Sequence, residues 1–168
     1  MVVNMLRSSV TLLLALTLAA APGCIHSPIV DAHTAFVQRD VQSLIALLSH
    51  PDDWVVEDCA TYLGLLAAPA SASQLHNVLQ RPGIHPQTRM AVVRALGRIG
   101  LPDSVDDLAQ QLSLEAHPSM PLVVVQALGT ICSRQAVDIL GDLGESNDIL
   151  TARAAQAAML RCQTGGRP

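Results

Sequence analysis

Three histidines, each followed by proline, recur along the chain at His50-Pro51, His85-Pro86 and His117-Pro118. Imidazole is the commonest metal ligand and the usual general base, so repeated histidines first suggest a ladder of ligands. Distance argues against it. Stacked helical segments lie about 10 Å apart, whereas one zinc ion holds its ligands at about 2 Å. The three histidines therefore read as turn residues, and no metal is expected. Acidic residues gather at Asp52-Asp53, at Glu57-Asp58 and at Asp103 with Asp106-Asp107. Paired carboxylates can serve acid–base chemistry, but negative charge just after a turn also suits the positive end of a helix, and we read these groups so. Paired histidines at helical spacing, Cys-x-x-Cys, a Gly-x-Ser-x-Gly elbow and a phosphate-binding loop are missing from the sequence. No catalytic residues, cofactor or small-molecule substrate are expected.

The elements that must position any site repeat themselves. Ala-Leu-Gly stands at 95–97 and 127–129, Leu63-Gly64 is an earlier copy, and Ala158-Met159-Leu160 is a degraded last one. A fixed period of this length marks a stacked architecture. Each first half places apolar residues four apart: Leu44 and Leu48, Leu75 and Leu79, Leu108 and Leu112, Ile139 and Leu143. That spacing is one face of a short helix. After the turn, the second half reads as another helix, clearest over 88–100, with Ala91, Val92, Ala95, Leu96 and Ile99 as its apolar stripe. A glycine inside a helix costs about 1 kcal/mol relative to alanine. Its recurrence at Gly64, Gly97 and Gly129 points to close approach of a neighbouring helix.

Arg89 to Gly100, followed by Leu101-Pro102-Asp103-Ser104-Val105, resembles the short bacterial HEAT-like repeat, the type also found in phycobilisome lyases. The likeness extends over roughly Asp40 to Cys162. It implies an all-α fold: a short right-handed α-solenoid of about four HEAT-like helix pairs, with second helices lining a concave surface. It also implies that Arg89 braces the following repeat. A single repeat cannot bury its stripe alone, so stability resides in the interfaces between neighbours. The repeat domain is placed at 39–162, with a tether and N-terminal cap at 24–38, Val30 to Arg39 forming an extra amphipathic turn or short helix, and a loose tail at 163–168.

Register then identifies the concave face. Met90, Arg94 and Arg98 lie four apart, opposite the stripe; their counterparts are Glu57, Thr61 and Leu65, then Leu122, Gln126 and Thr130, then Arg153, Ala157 and Arg161. The chain has no lysine, and its ten arginines face 14 acidic residues for a net charge of −4, which leaves no footprint for nucleic acid. Arg94, Arg98, Arg153 and Arg161, with Gln126 between them, are nonetheless concentrated on one face. Arginine forks onto carboxylates, so the expected occupant is a protein partner with acidic groups.

The first residues give the address. Met1 to Ser9 carry one charge, Arg7, and Val10 to Ala21 carry none. This pattern reads as a secretory signal over 1–23, too short for the roughly 20 residues of a membrane span. Ala21-Pro22-Gly23-Cys24 resembles the lipobox of bacterial lipoproteins, with Ala21 standing where leucine is usual. The resemblance implies lipidation of Cys24, a membrane attachment through that lipid, and a bacterial envelope location. Ile25 after the cysteine, where aspartate would signal inner-membrane retention, points to the outer membrane facing the periplasm. Of the remaining cysteines, Cys59 and Cys162 fall at apolar positions, and all three of Cys59, Cys132 and Cys162 read as buried reduced thiols. A Cys132–Cys162 bridge is the alternative, although similar positions on neighbouring repeats lie about 8–10 Å apart, beyond disulfide reach. The function expected is a non-enzymatic adaptor; a lyase-like or chaperone activity, or a regulatory subunit of an envelope enzyme, is the alternative.

Overall fold

The structure, a computed structural model, describes residues 28–114 and 117–165. Among these residues four helix pairs stack in chain order behind one N-terminal helix, α1 (Pro28–Val37). The pairs are α2 (Val41–Leu47) with α3 (Asp53–Leu65), α4 (Ala72–Leu79) with α5 (Pro86–Ile99), α6 (Val105–Ser113) with α7 (Met120–Ile131), and α8 (Arg134–Leu143) with α9 (Ile149–Gln163). Among the described residues there is no strand, and no helix is long and apolar enough to cross a membrane. The signal segment and Cys24 lie outside the described residues.

Local chemistry sets the boundaries. Asp40 caps α2 by accepting the Ser43 N–H at 3.1 Å, and the Ser43 hydroxyl donates to its other oxygen at 2.6 Å. Asp148 caps α9, accepting the main-chain N–H groups of Leu150 and Thr151 at 3.3 and 3.2 Å. The Thr151 hydroxyl, the largest influence, and these amides hold the Asp148 carboxyl below its ordinary value of 3.8. Helix α5 opens on Pro86, whose missing N–H is no loss in a first turn, and closes on Gly100 at φ 76°, a left-handed position suited to glycine. One-turn 3-10 helices, Pro69–Ser71 and Pro102–Ser104, lead into α4 and α6, and in each the last serine is fully buried.

Packing explains the repeated glycines. Each second helix lies against the next: α3 on α5, α5 on α7, α7 on α9, while the first helices pack mainly on their own partners. The array therefore bends toward its second helices, which line the inner surface. A Cβ placed on Gly64 would sit 2.7 Å from the Ala95 Cα, one on Gly97 2.6 Å from the Ala127 Cα, and one on Gly129 2.8 Å from the Ala158 Cβ. Glycine of one repeat thus meets alanine of the next three times over. Leu63, Leu96, Leu128 and, on the first helices, Leu44, Leu75, Leu108 and Leu140 are fully buried between the layers. Cys59 is also fully buried, and that burial, with the Asp58 charge second, pushes its thiol up to about 12. This cysteine is free and inert, as its apolar position suggested.

Four expectations need correction. Cys132 and Cys162 are joined by a disulfide, their Cα atoms 5.3 Å apart. Cys132 follows α7 at φ 49°, turning the chain back, and the Gly129–Ala158 contact draws α7 and α9 together. Met90 is buried rather than displayed, because α5 is flanked by α3, α4 and α7 and its apolar arc widens to include it. In α8 the fully buried residues are Ala136 and Leu140, with Ile139 and Leu143 half-buried beside them. Helix α1 starts at Pro28, earlier than Val30. It closes the N-terminal end, with Ala32 and Ala35 buried and Phe36 stacked on Tyr62 at 4.5 Å between ring centres.

Candidate functional site

The histidine turns have a shared structural job. The Nδ1 atom of His50 accepts the N–H of Asp52 at 3.0 Å, that of His85 accepts from Gln87 at 3.3 Å, and that of His117 accepts from Ser119 at 3.2 Å. Each imidazole covers the amide two residues on, as an Asx turn does with a carboxyl oxygen, and Ser146 does the same for Asp148 at 3.2 Å in the last repeat. These turns are also tied to their neighbours: Asp53 accepts the His85 N–H at 2.8 Å and the Thr88 hydroxyl donates to the Asp53 carbonyl at 3.3 Å. His85 caps α5, so His85→Ala is expected to cost about 1 kcal/mol. Asparagine supplies an equivalent acceptor, and His85→Asn should restore most of it; thermal melts of the two variants check this. Equal losses would show that the imidazole acts by some means other than its acceptor.

One cluster has the arrangement of a nucleophile, base and orienting acid. His76 on α4 pairs through Nδ1 with Asp107 on α6, and its Nε2 lies 3.2 Å from the Ser104 hydroxyl. Ser104, however, is fully buried, so no reacting carbonyl can approach it. Its counterpart Ser71, buried likewise, donates to the Ala68 carbonyl at 2.7 Å. The serine is a small buried residue of the repeat, and the cluster ties α4 to α6. Arginine does comparable bracing. Arg81 donates to the Leu48 and His50 carbonyls at 3.2 and 3.3 Å, and Arg89 donates to the Leu79 carbonyl at 3.0 Å and the Gln111 side chain at 3.1 Å. Arg89 thus spans from the end of α4 to α6 of the following repeat. The Arg81 brace, anchored on the preceding repeat, escaped the sequence reading because its position lies in a turn rather than in the recurring helix.

The four arginines of the candidate face are unspent among the described residues. Arg94, Arg98, Arg153 and Arg161 are exposed, and none makes a side-chain hydrogen bond or ion pair among the described residues. Arg98 and Arg161 stand in the last turns of α5 and α9, where positive charge suits the helix dipole. Arg94 and Arg153 do not, so the dipole accounts for only half of the set. Arg94 and Arg98 form one wall of a furrow of about 160 Å³ between α5 and α7; Gln126 and Thr130 form the other, and Gly97 and Ala127 lie at its floor. Arg161 approaches from the far side, its Nη2 atom 3.7 Å from where a Cβ on Gly129 would be. The structure thus brings Arg94, Arg98 and Gln126 to one furrow and sets Arg153 and Arg161 on the next helix but one.

The family described as HEAT repeats matches the chain twice, over residues 41–120 and 84–160. The matches together cover most of the chain, which belongs to the HEAT repeat family. No curated protein matches it. Four helix pairs, glycine–alanine contacts between second helices and arginine braces between repeats make the chain a helical repeat scaffold for protein interaction.

Proposed function

We propose that this chain is a non-enzymatic, exported and lipid-anchored adaptor that holds an acidic protein partner on the inner surface of its solenoid. The observation that carries the reading is the set of exposed arginines, Arg94, Arg98, Arg153 and Arg161, without hydrogen-bond or ion-pair partners among the described residues of a chain whose net charge is −4. Arg81 and Arg89 show what committed arginines look like here: their guanidiniums are on carbonyl oxygens. Uncommitted ones on a concave face are what a carboxylate-bearing partner needs.

Cysteine usage supports export. Cys132 and Cys162 are paired and Cys59 is sealed in the core, and disulfides persist in oxidising compartments. Cys24 lies outside the described residues; its place at the end of an apolar leader and beside Gly23 supports its lipidation. The lipid then holds the solenoid at the membrane, at the periplasmic face of the outer membrane given Ile25.

The test is in-cell crosslinking, affinity capture and mass spectrometry on the native chain and on Arg94→Glu/Arg98→Glu. An envelope protein captured by the first and lost by the second, at unchanged melting temperature, is the expected result. Identical captures from both chains would overturn the arginine surface. Metabolic labelling with a fatty acid that Cys24→Ser fails to abolish would overturn the anchor.

A further inference from the structure

The furrow between α5 and α7 says more about the partner than its charge. Deepening the adaptor reading and resting on it, we infer that the furrow takes an extended acidic segment of the partner, with two carboxylates at alternate residues seated on Arg94 and Arg98. Three observations carry this. Arg94 and Arg98 are four residues apart on one helix, so their Cα atoms rise about 6 Å along its axis. Side chains on the same face of an extended chain, two residues apart, are separated by about 6.6–6.8 Å, so alternate carboxylates run in step with the two guanidiniums.

Width selects the same geometry. Gly97 and Ala127 hold α5 and α7 in backbone contact, and the furrow above them measures about 160 Å³. An extended chain, slimmer than the about 10–12 Å of a helix with its side chains, suits a furrow of this size. Sites for drug-sized ligands run to about 300–1,000 Å³, so a small molecule is not its natural occupant. A single extended chain lays one row of side chains there and keeps its main chain above the floor.

The opposite wall completes the match. Gln126 is exposed and its amide has no partner among the described residues, which leaves a donor and an acceptor facing the furrow. Thr130 is already spent, its hydroxyl donating to the Gln126 carbonyl at 3.0 Å. One wall thus offers two forked cations and the other a neutral amide, so a segment with acids on one edge and bare peptide groups on the other satisfies both. Anionic lipid headgroups share the carboxylates' charge but not this two-sided pattern.

Fluorescence anisotropy tests the proposal with the full chain in mild detergent and labelled ten-residue Gly/Ser peptides. One peptide carries Glu-Ser-Glu, a second the same glutamates adjacent, a third Gln-Ser-Gln. The expected result is preferential binding of Glu-Ser-Glu, weakened at least tenfold by Arg94→Gln/Arg98→Gln and severalfold by Arg94→Lys/Arg98→Lys, since lysine keeps the charge and loses the fork. Gln126→Ala should weaken it as well. Equal binding of the adjacent-glutamate peptide, or of Gln-Ser-Gln, would overturn the spacing or the charge recognition. Binding of phosphatidylglycerol vesicles with no peptide preference would assign the arginines to lipid instead. If crosslinking captures a partner through the arginines but Glu-Ser-Glu does not displace it, the adaptor reading stands and the extended-segment proposal falls.

Discussion

Gly97→Ala is expected to destabilise the protein by about 2 kcal/mol, although alanine is the better helix former, whereas Gly141→Ala is expected to stabilise it by about 1 kcal/mol. The two glycines occupy equivalent helical positions, each in the last turn, of α5 and of α8. They differ in what a methyl group would meet. At Gly141 it would find nothing within 4 Å, so the gain in helix propensity stands alone. At Gly97 it would lie 2.6 Å from both the Cα and the Cβ of Ala127. No rotamer relieves a clash with backbone, so α5 and α7 must separate, and overpacking costs of up to about 3 kcal/mol outweigh the gain in propensity. In a chain of 168 residues a 2 kcal/mol loss corresponds to a melting temperature lower by roughly 4–8 °C. Adding Ala127→Gly should recover only part of the loss, because the Ala127 Cα remains in the way. A Gly97→Ala variant as stable as Gly141→Ala would mean that α5 and α7 do not approach as closely as the structure places them.

That contact was visible in the sequence as an oddity: a glycine recurring where helix propensity argues against it. The pairing of each glycine with an alanine two residues before the corresponding position of the next repeat, Gly97, Gly129 and Leu160 in turn, required the structure, since spacing along the chain does not say which residue crosses which. The histidine turns were likewise legible as turns, and their shared acceptor geometry was not, because nothing in His-Pro specifies which ring nitrogen faces the amide. Arg94, Arg98, Arg153, Arg161 and Gln126 came from helical register and are all exposed. The same register failed at Met90, which is 2 % exposed. A stripe covers one face of a surface helix, but α5 is wrapped on three sides, so its buried arc exceeds what a single apolar stripe predicts. In α8, Ile139 and Leu140 are adjacent apolar residues, and periodicity alone cannot choose between them; packing chooses Leu140.

Removing the disulfide is expected to have the second large effect, concentrated at one end. The bridge closes 30 residues of chain, and constraint of the unfolded state over such a loop contributes about 3–4 kcal/mol. Sequence reasoning treated the two cysteines as equivalent positions on parallel helices; they are in fact the residue just past α7 and one in the last turn of α9. The bridge therefore clamps the final pair where it most needs it. Among the described residues helix α9 has α7 on one side and no further helix pair on the other, and Ile149, Leu150 and Leu160 are 65 %, 66 % and 58 % exposed. In a stacked array each pair is held by its neighbours, and a terminal pair has only one. Reduction, or Cys132→Ser/Cys162→Ser, should consequently release α8 and α9 ahead of the rest. Amide exchange should accelerate over 134–163 while α3 and α5 keep their protection, and the thermal transition should broaden or split. Uniform loss of protection along the chain would show that the array melts as one unit, and unchanged exchange in α9 would show that the bridge contributes nothing there. The consequence reaches the inner surface, since Arg153 and Arg161 ride on α9, whereas Arg94 and Arg98 stand on α5 and Gln126 on α7, which α5 and α6 also hold. A partner spanning all four arginines would lose part of its grip under reducing conditions, and a peptide confined to the furrow between α5 and α7 would not.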